Sequence, residues 1–227
     1  MVTIKKTTEP TLPHEAGNVK YVVFDFDGTL AHTYPLAIRC LNALASEYGY
    51  KPIDAEESQT TLRDKNMRDI IRDRLGLSFY QLPLFIYKIK KMFSGKLPAV
   101  EVFSGIKDLL MSLAATYDIA IVTSNMQEVV KTTLARAQIT CVKEIYSGSS
   151  LFGKHVVIKR FLKNHHLKPN EILYVGDEVR DIEACKRIGV KVIAVTWGYN
   201  SLCALKNAKP DYVAHSCNEI MTRLPVN

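Results

Sequence analysis

The chain has no Cys-x-x-Cys pair; its five cysteines, Cys40, Cys141, Cys185, Cys203 and Cys217, are odd in number and widely spaced. That distribution argues against a disulfide framework and reads as reduced thiols in a cytoplasmic protein. No stretch approaches the roughly 20 apolar residues that span a bilayer. Residues 1–18 are polar and contain proline, without the apolar segment of a secretory signal, so a loose N-terminal tail is expected there. A membrane partner is not expected. P-loop, RNP-like and zinc-finger patterns are missing too, and no run of like charges is long enough for a nucleic-acid arm. The formal net charge of +7 therefore does not call for a nucleic-acid partner; an anionic small molecule suits it as well. Between Lys51 and Pro98, ten Lys/Arg stand against six Asp/Glu, which places +4 of the excess in that stretch.

What the chain does have is material for a core: 47% of its 227 residues are hydrophobic and 23% charged. The length suits one core carrying a sizeable insertion. Short, nearly continuous apolar runs at Tyr21–Phe26, Ile119–Val122, Ile172–Val175 and Val190–Val195 have the look of strands buried on both faces. Segments of helical period, Met126–Ala137, Val156–His165 and Val179–Ile188, alternate with them. This pattern predicts an α/β fold, a parallel sheet covered by helices on both sides. Residues 32–98 differ: they contain helical candidates at Pro35–Tyr48, Leu62–Leu75 and Tyr80–Phe93, and no convincing strand. They read as a helical insertion between the first strand and the rest of the sheet.

Parallel sheets bind ligands at the carboxyl ends of their strands, and four polar elements fall there. They are Asp25-Phe26-Asp27-Gly28-Thr29, Thr123-Ser124-Asn125, Gly153-Lys154 and Gly176-Asp177-Glu178-Val179-Arg180-Asp181. Two carboxylates as close as Asp25 and Asp27 raise each other's pKa and resist burial, so something must offset them. Mg²⁺ would, because it is held by one or two carboxylates while keeping waters and phosphate oxygens. Asp25 and Asp177, from different strand ends, can share such an ion. A carboxylate can also act as a nucleophile toward phosphorus. Asp27, two residues on, returns to the same side of an extended chain and can serve as acid and base. Thr123 and Lys154 would neutralise phosphoryl oxygens. Plainer readings stand beside these. Thr123-Ser124-Asn125 also fits an N-cap series, and Asp177 and Asp181 also fit acidic residues favoured at a helix start. Arg63, Lys65, Arg68, Arg72 and Arg74 read mostly as a solvated helix face. Trp197-Gly198-Tyr199-Asn200 should lie near the mouth of the site.

DFDGT at 25–29, Thr123 after an apolar strand, a lysine before the last motif, and GDEVRD at 176–181 together resemble the haloacid dehalogenase-like superfamily. The likeness runs from about residue 20 to residue 215, and the insertion sits where phosphoglycolate-phosphatase-like members carry a helical cap. The resemblance implies a Rossmann-like three-layer core at 19–31 and 99–227 with a cap at 32–98. It implies Asp25 as nucleophile and Asp27 as general acid/base. Asp25, the Asp27 backbone carbonyl and Asp177 would hold Mg²⁺, with Asp181 in support, and Gly28, Thr29, Ser124 and Asn125 would line the phosphate site. The usual Lys-Pro pair is here Lys154-His155, and Lys159 competes for the phosphate role. Lys154 follows a glycine at a loop-to-helix junction, whereas Lys159 falls opposite Val157, Ile158, Phe161 and Leu162, on a polar face. The expected activity is a Mg²⁺-dependent phosphatase acting on a small phosphorylated metabolite, as a monomer or homodimer. A phosphomutase of the beta-phosphoglucomutase type and a non-catalytic binding member of the fold are the alternatives.

Overall fold

The computed structural model describes residues 18–65, 69–95, 100–147 and 153–224. The tail expected at 1–18 lies outside these residues, Asn18 excepted. Within them, strands β1 (Tyr21–Phe24), β2 (Asp118–Val122), β3 (Val142–Tyr146), β4 (Ile172–Gly176), β5 (Lys191–Val195) and β6 (Tyr212–Ala214) form one sheet. All neighbouring pairs are parallel, in the order β3-β2-β1-β4-β5-β6. The helices of the core are α4 (Ile106–Leu113), α5 (Gln127–Arg136), α6 (Lys154–Asn164), α7 (Val179–Ile188), α8 (Leu202–Asn207) and α9 (Cys217–Arg223). Three earlier ones, α1 (Tyr34–Tyr48), α2 (Ala55–Gln59) and α3 (Leu82–Gly95), belong to the segment after β1.

Successive side chains of a strand face opposite sides of its sheet, and here both sides are apolar. Phe24, Ile121, Val175 and Val195 pack against Leu109 and Leu110 of α4, Val130 of α5 and Ile220 of α9. Their neighbours Val23, Val122, Tyr174 and Ala194 pack against Ile158 and Phe161 of α6, Ile182 of α7 and Leu205 of α8. The result is the three-layer, Rossmann-like α/β architecture that continuous apolar strands require. A separate cluster joins Leu44, Tyr50, Ile53, Leu62, Ile71, Leu75 and Phe85 in the segment between β1 and α4. Pro35 in the first turn of α1 costs no helical hydrogen bond, and Gly49, at φ +73°, closes that helix in the left-handed region.

Two expectations need correction. No single helix covers 62–75: Thr61–Lys65 is a turn and Ile70–Arg74 a short π-helical turn, with 66–68 outside the described residues. The carbonyls of Arg63 and Lys65, which a helix would use internally, accept instead from Asn200 and Ser201 of the core. The first strand also stops at Phe24 and not at Phe26. Beyond it the chain turns, with the amides of Leu30 and Ala31 both donating to the Phe26 carbonyl.

Candidate active site

Strand register brings the polar motifs together. Phe24 pairs with Ile121 of β2 and with Val175 of β4, so the residues just past all three strands converge. The Asp25 amide extends the ladder, donating to the Val175 carbonyl at 2.8 Å. The meeting point lies between β1 and β4, where the strand order changes direction, the general location of ligand sites in open parallel sheets.

Asp25 is buried, and its Oδ2 accepts from Lys154 Nζ at 2.6 Å. The same ammonium donates to Asp181 Oδ1. Lys154 opens α6 behind Gly153 and is buried, whereas Lys159 is exposed on the outer face of that helix. Asp181, on the first turn of α7, also accepts from the Glu178 amide at 3.3 Å, so it serves its helix start and the site together. Asp177 is held from several sides. Thr29 Oγ1 donates to its Oδ1 at 2.5 Å and the Tyr199 amide to its Oδ2 at 2.7 Å. Gly28, at φ +77°, lies so close that a Cβ there would meet Asp177 Oδ2 at 2.2 Å; one on Gly198 would meet Asp177 Cβ at 2.2 Å. Thr29 thus turns its hydroxyl onto Asp177, and the Gly28 amide donates to the Ala31 carbonyl at 2.9 Å.

Asp27 is half-buried and accepts from Asn125 Nδ2 at 2.9 Å, with the Thr123 hydroxyl at 3.5 Å. The Thr123 hydroxyl itself accepts from the Asn125 amide at 3.0 Å. The alternative of an N-cap series is not what forms: α5 starts at Gln127, behind Met126. Ser124 stands half-buried between Thr123 and Asn125. Trp197 lies over the first motif, its Nε1 donating to the Thr29 carbonyl at 3.0 Å.

Electrostatics follow from this crowding. Burial pushes the Asp25 carboxyl up to about 6, although Lys154 pulls it back down. Burial, then the charge of Asp25, also pushes Asp27 to about 6. Asp177 is held well above the ordinary carboxylate range by burial and by Glu178 and Asp25. Burial by itself would lower Lys154, but Asp181 and Asp25 together hold its ammonium above the usual lysine value. Among the described residues, five acids, Asp25, Asp27, Asp177, Glu178 and Asp181, face two cations, Lys154 and Arg180, and Arg180 is spent on Glu178 at 2.6 Å. Oxygens of Asp25, Asp177 and Asp181 all come within 4.8 Å of one another. A surplus of buried oxygen donors of this kind fits a hard divalent cation.

Arg63, expected on a mostly solvated helix face, reaches the core instead, while Tyr199 and Asn200, expected near the mouth of the site, lie beside Asp177. Arg63 Nε donates to the Tyr199 carbonyl at 3.2 Å, and its guanidinium reaches the Gly198 carbonyl as well. Tyr199 contributes its amide and Asn200 its carboxamide, roles that depend on where a loop falls and carry no sequence signature.

A doubly wound parallel sheet with carboxylates gathered at its switch point is the build of a Rossmann-like α/β enzyme. The chain belongs to the haloacid dehalogenase-like hydrolases, whose family model matches residues 22–195. It is an enzyme of that family, of the phosphatase kind. A phosphoglycolate phosphatase from Synechococcus elongatus is 32% identical to it, over 88% of this chain and 94% of that protein. A haloacid dehalogenase-like hydrolase from Streptococcus pneumoniae superposes with a TM-score of 0.75 at 25% identity, covering 90% of this chain and 98% of that one. A structure from Haemophilus somnus, named as a predicted phosphoglycolate phosphatase, gives 0.72 at 22% identity, covering 90% and 97%; that likeness bears on the fold. Among the described residues no helix is long and apolar enough to cross a membrane.

Proposed function

We propose that this chain hydrolyses the phosphate ester of a small metabolite, phosphoglycolate or a compound like it, through an aspartyl-phosphate on Asp25 and with Mg²⁺ as cofactor. The observation that carries this reading is the convergence of the Asp25, Asp177 and Asp181 oxygens within 4.8 Å, beside the buried Lys154. The Synechococcus relative, similar over 88% of the chain, supports the substrate class. Unpaired thiols at all five cysteines support a cytoplasmic setting.

In the first half-reaction an Asp25 oxygen attacks phosphorus, the ester P–O bond breaks, and the departing alkoxide takes the Asp27 proton. In the second, Asp27 removes a proton from water as its oxygen attacks phosphorus. The bond to Asp25 breaks, inorganic phosphate leaves, and both carboxyl groups return to their starting forms. A carboxyl raised to about 6 suits Asp27 for this work, since it can give up and regain a proton near neutral pH. Asn125 and Thr123 fix its direction, and the Lys154 ammonium balances Asp25 and the phosphoryl oxygens. Asp25, Asp177 and Asp181 would hold the Mg²⁺ ion, which supplies positive charge against the transferring group.

The test is turnover of p-nitrophenyl phosphate and of phosphoglycolate, with and without Mg²⁺, by wild type and Asp25→Asn. Steady phosphate release that requires Mg²⁺, lost in the variant and needing no sugar bisphosphate, supports the proposal. Equal turnover by Asp25→Asn, or turnover in chelator, ends it.

A further inference from the structure

The apolar cluster of the segment between β1 and α4, drawn from α1, α3 and the turns between them, shares no residue with the two clusters of the sheet. Beside the site, the two parts are joined by polar contacts, and these fall on one loop. Arg63 donates from its guanidinium to the carbonyls of Gly198 and Tyr199. Asn200 reaches the other way: its Nδ2 donates to the carbonyls of Arg63, at 2.9 Å, and Lys65, at 3.0 Å. Its Oδ1 meanwhile accepts from the Val179 amide at the start of α7, at 2.8 Å. The Ser201 amide adds a contact to the Arg63 carbonyl at 2.8 Å. This is the loop that grips Asp177, through the Tyr199 amide at 2.7 Å, the Asn200 amide on the Asp177 carbonyl at 3.3 Å, and the close approach of Gly198.

We propose that Arg63 and Asn200 are positioning residues that form a latch between the helical insertion and the Asp177 loop, so that Asp177 is aimed for its cation only while the insertion is seated. The physical basis is that one strip of backbone offers its Gly198 and Tyr199 carbonyls to Arg63 of the insertion and its Tyr199 and Asn200 amides to Asp177. Freeing the carbonyls loosens the amides. Polar joints between separately packed parts are the ones expected to open. Partners that orient a metal ligand from outside typically change metal affinity by roughly 10–100-fold. The latch rests on the proposed function only in taking Asp177 as a cation ligand.

The test compares wild type, Arg63→Ala, Arg63→Lys and the exposed control Arg72→Ala, each checked for native circular dichroism. In metal-free protein, hydrogen exchange at the Tyr199 amide should quicken by about tenfold or more in Arg63→Ala, stay near wild type in Arg72→Ala, and fall between in Arg63→Lys. By calorimetry without substrate, Mg²⁺ should bind Arg63→Ala about tenfold more weakly, while kcat at saturating Mg²⁺ stays within about threefold. Unchanged exchange at Tyr199 in folded Arg63→Ala, or in Arg63→Lys should the alanine variant not fold, overturns the latch. If wild type takes up no divalent cation, the cation reading fails on its own account, and the exchange result still decides whether the latch exists.

Discussion

Two glycines with similar backbone conformations separate strain from function at the scale of single residues. Gly28 has φ +77° and Gly76 φ +62°, but a Cβ at Gly76 would meet nothing within 4 Å, whereas one at Gly28 would overlap Asp177. Both alanine variants carry the cost of the left-handed region, about 1 kcal/mol. Gly76→Ala should therefore lower Tm by a few degrees and leave kcat/KM unchanged, while Gly28→Ala should also lose about 100-fold or more in kcat/KM, because Asp177 must move. Equal kinetics for the two in a steady-state assay would mean that the grip on Asp177 has no catalytic weight. Lys154 is the other residue with a large expected effect. It is the ammonium that balances Asp25 and Asp181 in the buried site. Lys154→Met leaves those carboxylates uncompensated, and in chelator should lower stability by about 3–5 kcal/mol in urea unfolding. A loss below about 1 kcal/mol would show that the pair is solvated after all. The sequence made the acidic residues legible, because each stands at a fixed offset from an apolar run. It placed Tyr199 near the mouth of the site but left its contact and that of Arg63 illegible, since both run through backbone carbonyls and amides that any residue type supplies.

At the scale of elements, the central strands were readable and the outer ones were not, for one reason. β1, β2, β4 and β5 are covered on both faces and so are apolar apart from the half-buried Asp118 and Lys191 that open β2 and β5. β3 (VKEIY) and β6 (YVA) lie at the two edges, are mostly half-exposed, and mix charged or short segments that lack a period. Helix α4 went unseen although Ile106, Leu109, Leu110 and Leu113 stand at i, i+3, i+4 and i+7. It is only eight residues long and starts on Gly105 at φ +81°, with no side-chain cap to announce it. That hidden stripe is fully buried against the sheet. Leu110→Ala should cost about 2–5 kcal/mol in chemical denaturation, yet leave kcat per folded molecule within about twofold, since α4 contributes no side chain to the site. A large fall in kcat with little loss of stability would contradict this division between support and chemistry. The expected helix at 62–75 failed by the opposite route: its composition suits a helix, but its carbonyls are claimed by Asn200 and Ser201.

Across the whole molecule, the acidic site sets how stability should depend on pH and on the cation together. In the folded, metal-free protein Asp25 and Asp27 are raised from the ordinary 3.8 to about 6, chiefly by burial. A carboxyl raised on folding binds its proton more tightly in the native state than in the unfolded chain. Its contribution is therefore fully present below about pH 4 and is lost as pH climbs through about 6. Most proteins with paired surface carboxylates gain stability over that range; here the site pulls the other way. Tm of the metal-free protein should thus fall between about pH 5 and pH 7, by several degrees if both groups act, because a tenfold tighter hold on a proton in the folded state is worth about 1.4 kcal/mol. Mg²⁺ at millimolar concentration should return that loss at pH 7 and do little at pH 5, where protonated carboxyls compete with the ion. Scanning calorimetry at both pH values, with chelator or with Mg²⁺, measures all four conditions. A metal-free Tm that holds level or rises from pH 5 to pH 7, together with an equal Mg²⁺ effect at both, would show that the buried acids are already balanced by the protein. The excess negative charge on which the proposed cation site rests would then not exist.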